Sequence, residues 1–69
     1  MGDIRKIVGR NLREARQAVG LSQEALADKA GIDRTYVSGV ERGVRNPTVT
    51  IVALLAEALT VRPADLLRD

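Results

Sequence analysis

The stretch Ser22–Gly43, SQEALADKAGIDRTYVSGVERG, decides the fold. It contains two short helical patterns joined by a glycine-centred turn. In the first, Leu26 and Ala30 recur four residues apart; in the second, Val37 and Val40 recur three apart, with Ile32 in the turn between them. Each piece therefore carries one apolar face at helical spacing, and the two faces must meet. Ser22 is a good N-cap, its hydroxyl placed to accept from a free backbone N–H, and Glu24 in the first turn complements the positive helix end. That helix stops at Gly31 after about two turns. Asp33 caps the next helix, which spans Arg34 to Arg42 with Gly43 as its terminator. Ala27 is small where two helices would cross closely, and Gly31 sits in the tight connection.

Working outward, a first helix runs from its N-cap Asp3 to Val19, because Ile4, Ile7, Val8, Leu12, Ala15 and Val19 fall on one side at 100° per residue. Its other side is basic. Gly20 can adopt the left-handed conformation that ends a helix. Gly9 lies inside the helix, where it costs about 1 kcal/mol relative to Ala, and points to close packing there. Beyond Gly43, Val44-Arg45-Asn46-Pro47 reads as a loop, and Thr48 caps a fourth helix that continues to about Thr60. Its core stripe is Val49, Val52, Leu55, Ala56 and Leu59. Ile51, Leu54 and Ala58 lie on an adjoining face, so the apolar arc is wider than the roughly 100° of a simple surface helix. Pro63 opens a last short helix, Ala64 to about Arg68, in which Leu66 and Leu67 offer apolar contacts. The expectation is an all-α fold of five helices forming one domain over residues 1–69.

Composition sets limits. A chain of 69 residues is at the small end of what folds alone and buries roughly 60% of its unfolded surface. With no Cys and no His, there is neither a disulfide framework nor a supply of zinc ligands, and no cofactor or metal is expected. No apolar run approaches the roughly 20 residues of a membrane span, and no signal peptide opens the chain, so the expected location is the cytoplasm. The formal charge is only +2, but Arg5, Lys6, Arg10, Arg13 and Arg16 crowd the first helix, while Arg34, Arg42 and Arg45 flank the second half of the motif. That placement suits a polyanionic partner; the plainer alternative is a solvated helix face balanced by nearby acids. Tyr36 is the only aromatic, which argues against single-stranded nucleic acid, where bases stack on aromatic platforms. No phosphate-binding glycine loop or nucleophile–base set is visible, so no enzyme is expected.

The joint pattern of Gln23, Leu26, Ala27, Ala30, Gly31, Ile32, Val37 and Val40 resembles the lambda repressor/Cro-type (XRE-like) helix-turn-helix family. Leu21-Ser22-Gln23 and Asn46-Pro47-Thr48 resemble its junctions, so the likeness covers about residues 8 to 67. Within the family, Asp33-Arg34-Thr35-Tyr36-Val37-Ser38-Gly39 resembles the recognition helix of restriction–modification controller proteins, although related regulators carry similar strings. The resemblance implies a compact five-helix DNA-binding domain in which helices 2 and 3 form the helix-turn-helix.

Roles follow for particular residues. An α-helix fits the major groove of B-DNA, where short polar side chains near its N-terminus read base edges. Arg34 suits guanine O6 and N7, Thr35 a thymine methyl or base acceptor, and Tyr36 and Ser38 bases or phosphates; the resemblance supports all four. Gly39 lies where some relatives place another base-reading side chain. The alternatives are an exposed cation at Arg34 and a partly buried core aromatic at Tyr36. By the same resemblance Gln23, at the start of helix 2, would brace a phosphate, and Arg42, Arg45 and Asn46 would approach the backbone from the other end of the motif. The plain reading of these is loop solubility. Arg10 and Arg13 are weaker phosphate candidates. Arg16 and Glu41 occupy positions the family often pairs and are assigned to structure as an ion pair. Glu24 and Asp28 match acidic positions through which lambda repressor touches RNA polymerase; the ordinary reading of this pair is a solvated face.

The implied function is a sequence-specific transcriptional regulator without catalysis. One short helix makes few base contacts, so a homodimer on a near-palindromic operator in double-stranded DNA is expected. Ile51, Leu54, Ala58, Leu66 and Leu67 are the candidate dimer interface. The competing class is an antitoxin-like interaction module that neutralises a partner protein through the same apolar face. Operator sequence, sign of regulation and any effector are not legible.

Overall fold

Five helices make up the computed structural model, which describes residues 2–69: α1 (Ile4–Ala18), α2 (Gln23–Ala30), α3 (Arg34–Glu41), α4 (Val49–Leu59) and α5 (Pro63–Leu67). Four of them begin where the sequence supplies an oxygen for a free backbone N–H: Asp3 accepts from Arg5, Ser22 from Ala25, Asp33 from Thr35 and Thr48 from Ile51. α5 starts on Pro63, and the Asp65 carboxylate accepts from the Arg62 backbone N–H at 3.0 Å. Gly31 ends α2 at φ 74°, a left-handed conformation that costs other residues about 1–2 kcal/mol. Helix boundaries otherwise match the sequence reading to within a residue or two.

The faces meet as the spacing requires. α1 packs on α3 and α5, α2 on α3 and α4, and α4 on α5. Their common core is led by Leu12, Leu26, Val37, Val40, Leu55 and Leu66, all fully buried. The closest approach is at Gly9. A Cβ there would come within 2.5 Å of the Val40 carbonyl oxygen and 2.7 Å of that of Glu41. Only glycine therefore lets α1 lie directly against the C-terminal backbone of α3. At the other side of α1, the Asn11 amide donates to the carbonyls of Leu66 at 3.0 Å and Arg68 at 2.6 Å, tying down the end of α5.

Several expectations need correction. Leu66 is 1% exposed and Ala58 is also buried, so both belong to this chain's own core and offer no surface to a second subunit. The reason is that α4 packs against α2 and α5 and, less extensively, α1, so its wide apolar arc serves neighbours within the chain. Ile51 is half-buried against the core, whereas Leu54 and Leu67 stay exposed. Val49, read as core, is 88% exposed, because it occupies the first turn of α4, beyond the packed body. Ile4 and Val19, at opposite ends of α1, are exposed for the same reason.

Gly9→Ala should lower stability by about 1–3 kcal/mol, the usual penalty for overpacking a fixed contact, and a denaturant titration will register it. Gly2→Ala, where an added Cβ meets nothing within 4 Å, should leave the midpoint unchanged.

Candidate nucleic-acid interface

The outward face of α3 is set by its buried one. Val37, Val40 and Glu41 point inward, and at about 100° per residue this leaves Arg34, Thr35, Ser38 and Arg42 within an arc of about 100° on the other side. Arg34, Thr35 and Arg42 are exposed and Ser38 is half-buried. Arg34 enters no ion pair among the described residues, so its whole guanidinium fork is available.

Thr35 is more constrained. Its hydroxyl donates to Asp33 Oδ1 at 2.5 Å, and its backbone N–H donates to the same oxygen at 2.8 Å. These bonds, the hydroxyl's first, hold the Asp33 carboxyl below its usual range. With its proton committed, Thr35 presents a methyl group and acceptor lone pairs, which fits a thymine methyl or a base amino group better than a base acceptor.

Tyr36 is half-buried against the core, with the Arg45 guanidinium 5.2 Å from its ring centre, within cation–π range. The Arg45 stem continues over Gly39, its Cγ 2.5 Å from where a Cβ on Gly39 would stand. The loop after α3 is thus folded back onto α3, and the missing side chain of Gly39 is the slot that Arg45 fills. Sequence reasoning placed Arg45 beyond the end of the motif and missed this contact; the glycine at a position where relatives carry a side chain was the available signal. Asn46 is exposed in the same loop. Arg42 is held only loosely, its Nε 3.4 Å from the Ser38 carbonyl.

Behind this face lies a buried carboxylate. The Glu41 side chain is 0% exposed and accepts from Arg16 Nε at 2.6 Å and Nη2 at 3.0 Å. It also accepts from Gln23 Nε2 at 3.0 Å and, at the edge of range, from Arg13 Nε at 3.5 Å. Arg16 Nη1 donates to the Leu21 carbonyl at 2.9 Å, fastening the α1–α2 connection. Burial pushes the Glu41 carboxyl up, but the bonds from Arg16 and Gln23, with Arg16's charge, outweigh it and leave the group below its usual value. Arg16 is correspondingly raised, first by its bond to Glu41. The half-buried Gln23 amide, read as a phosphate brace, is therefore anchored on Glu41 through one N–H, which leaves its second N–H uncommitted. The resemblance pointed to the Arg16–Glu41 pair, but it gave no sign of the bond from Gln23. Glu24 and Asp28 are exposed on α2.

This fold and face define a class, the helix-turn-helix DNA-binding transcriptional regulators, and the chain belongs to the helix-turn-helix family, which it matches over residues 12–66. An uncharacterized HTH-type transcriptional regulator of Sinorhizobium fredii, y4dJ, is 44% identical over 64 residues, which is 93% of this chain and 83% of that one. Control protein C.SmaI of Serratia marcescens is 43% identical over 65 residues, covering 94% of this chain and 77% of the relative. Among solved structures, the restriction-modification controller protein C.AhdI from Aeromonas hydrophila superposes with a TM-score of 0.87 at 50% identity, over 90% of this chain and 94% of that one. The five-helix, lambda repressor-like architecture is shared with it and with the N-terminal DNA binding domain of SinR from Bacillus subtilis, at TM-score 0.87 and 29% identity over 93% of this chain and 94% of that one.

Because Glu41 is depressed in the folded state, its contribution is fully present above its ordinary value of 4.5 and is lost as pH falls through the lower folded value. Glu41→Gln should destabilise the protein by on the order of 3 kcal/mol at neutral pH. Melting curves of wild type and variant should converge as the pH drops below 4.5, whereas a gap that stays constant to low pH would remove the carboxylate from this role.

Proposed function

We propose that the chain binds a near-palindromic operator in duplex DNA as a homodimer, with α3 in the major groove of each half-site, and controls transcription there in the manner of a restriction–modification controller. The observation that carries this reading is the outward stripe of exposed Arg34 and Thr35 and half-buried Ser38 on a short helix whose opposite face is locked into the core. Arg34 donates to guanine O6 and N7, the Thr35 methyl meets a thymine methyl, and Tyr36 and Ser38 reach bases or phosphates nearby. Gln23 with the α2 N-terminus braces one stretch of backbone; Arg42, Arg45 and Asn46 brace another.

One such helix discriminates poorly, and a two-fold pair places two of them about 34 Å apart, one DNA turn. Surface for pairing remains at Leu54, Leu67 and the partly covered Ile51. Beside Leu67 runs an apolar groove between α1, α4 and α5, with Ile4 and Val49 on its walls and a volume of about 190 Å³. That is small for a ligand pocket, which takes roughly 300–1,000 Å³, and suits side chains of a second subunit. Repression by excluding polymerase is the default outcome of such binding. Glu24 and Asp28, exposed four residues apart on α2, are the surface through which the same dimer would touch polymerase and activate.

Selection of bound duplexes from a random pool tests this. Arg34→Ala should relax preference at one base in each half-site and cost about 1–3 kcal/mol, while Arg45→Ala should weaken all sequences similarly. Selected sites that are identical for Arg34→Ala and wild type would take Arg34 out of base reading. If a dimer neutralises about eight phosphates, log affinity should fall against log salt with a slope near −7, and a salt-independent affinity would contradict the mechanism.

A further inference from the structure

We infer that α1 carries a second phosphodiester-binding surface, a basic ridge of Lys6, Arg10 and Arg13 continued by Arg42, which grips the DNA backbone beyond the edge of the groove that α3 reads. It rests on the major-groove reading above. A depression lined by Lys6, Arg10, Arg13, Glu14, Glu41 and Arg42 lies where α1 crosses the C-terminal end of α3. The crossing is close: the Cγ of Lys6 is 3.1 Å from where a Cβ on Gly43 would stand.

The charges there do not cancel. Glu41 is wholly covered and already answered by Arg16 at 2.6 Å, so that pair is neutral. Arg13 touches Glu41 only at 3.5 Å and is half exposed. Arg10 reaches the Asp69 carboxylate only at 3.9 Å, with both groups in solvent. Lys6 has no ion pair among the described residues. Glu14 is the one exposed acid in the depression, so a surplus of positive charge is left facing water.

Geometry directs that surplus at a nucleic-acid strand. Arg42 shares the outward stripe of Arg34 and Ser38, and it stands about 12 Å along the helix from Arg34. The helix reads bases with its N-terminal residues in a groove about 12 Å wide, so with Arg34 over the bases Arg42, a helix length away, stands at or beyond the groove's edge, where the backbone runs. From there the ridge continues. Lys6, Arg10 and Arg13 fall on one face of α1 over about 10 Å. A strand carries one phosphate per nucleotide and winds around the duplex axis, so this length spans about two successive phosphates.

The test is a salt series of fluorescence anisotropy titrations on a duplex recovered from the random pool, with wild type, Lys6→Gln/Arg10→Gln and the charge-retaining Lys6→Arg/Arg10→Lys. Both variants change exposed side chains, and a thermal melt confirms that each is folded. The neutral pair should lower the magnitude of the salt slope by about two per bound protomer and weaken binding roughly thirtyfold per protomer at 0.15 M salt, with the selected sequence unchanged. The charge-retaining pair should keep the wild-type slope. A wild-type slope in the neutral pair overturns the ridge while leaving the major-groove reading intact, and so does a changed base preference without a changed slope. Wild type that retains no duplex specifically overturns the major-groove reading and the ridge with it.

Discussion

A carboxylate buried between three helices sets the geometry on which the rest depends. Glu41 leaves α3 at its C-terminal end and accepts from Arg16 of α1 and Gln23 of α2. A charge taken out of water is expensive, and its attraction to a partner repays the expense only when geometry and hydrogen bonds are complete. Here they are: no buried side-chain nitrogen or oxygen lacks a partner among the described residues. The arrangement is weak evidence for net stability but strong evidence for orientation, because any rotation of α3 would strand the charge. Gly9 adds a steric condition to the electrostatic one. With the α3 carbonyls against α1, α3 is fixed against α1 at its C-terminal end. Its N-terminal half, which carries the proposed base-reading residues, extends from this fixed end.

Much of this was legible in the sequence, for identifiable reasons. Helix ends were readable because caps are local: Asp3, Ser22, Asp33 and Thr48 each bond a backbone N–H two or three residues on, so no knowledge of the fold is needed. Gly9 was readable as a helix-breaking residue that close packing must explain. The errors lie where a residue's fate depends on a distant element. Leu66 looked like spare apolar surface until Asn11, far away in sequence, was seen to hold the end of α5 in place. Val49 fits the apolar stripe of α4 by period, but period does not show where the packed body ends. Ala58 lies on the part of α4's wide apolar arc that period alone assigns to no partner, whereas α4 packs against α2, α5 and α1.

At the site the same division holds. The stripe of Arg34, Thr35, Ser38 and Arg42 follows from helical period once the inward residues are known. Side-chain pairings do not follow from it. That Thr35 gives its proton to Asp33, that Gln23 leans on Glu41 and that Arg45 lies over Gly39 and Tyr36 are all tertiary facts. They change the chemistry on offer: Thr35 becomes a methyl and an acceptor, and Arg45 becomes a cation packed over α3 instead of a loop charge. The net charge of +2 conceals an uneven distribution, since most of the cations lie on α1, α3 and the loop that follows, while Glu41 is internally neutralised.

The central claim is that α3 enters the major groove with Arg34 against a guanine, and chemical protection tests it most directly. Dimethyl sulfate methylates guanine N7 in the major groove and adenine N3 in the minor groove. Bound wild-type protein should shield one guanine N7 in each half-site, and Arg34→Ala should lose that shielding while still occupying the duplex at higher concentration. Shielding confined to adenine N3, or guanine N7 shielding that Arg34→Ala retains in full, would contradict the account.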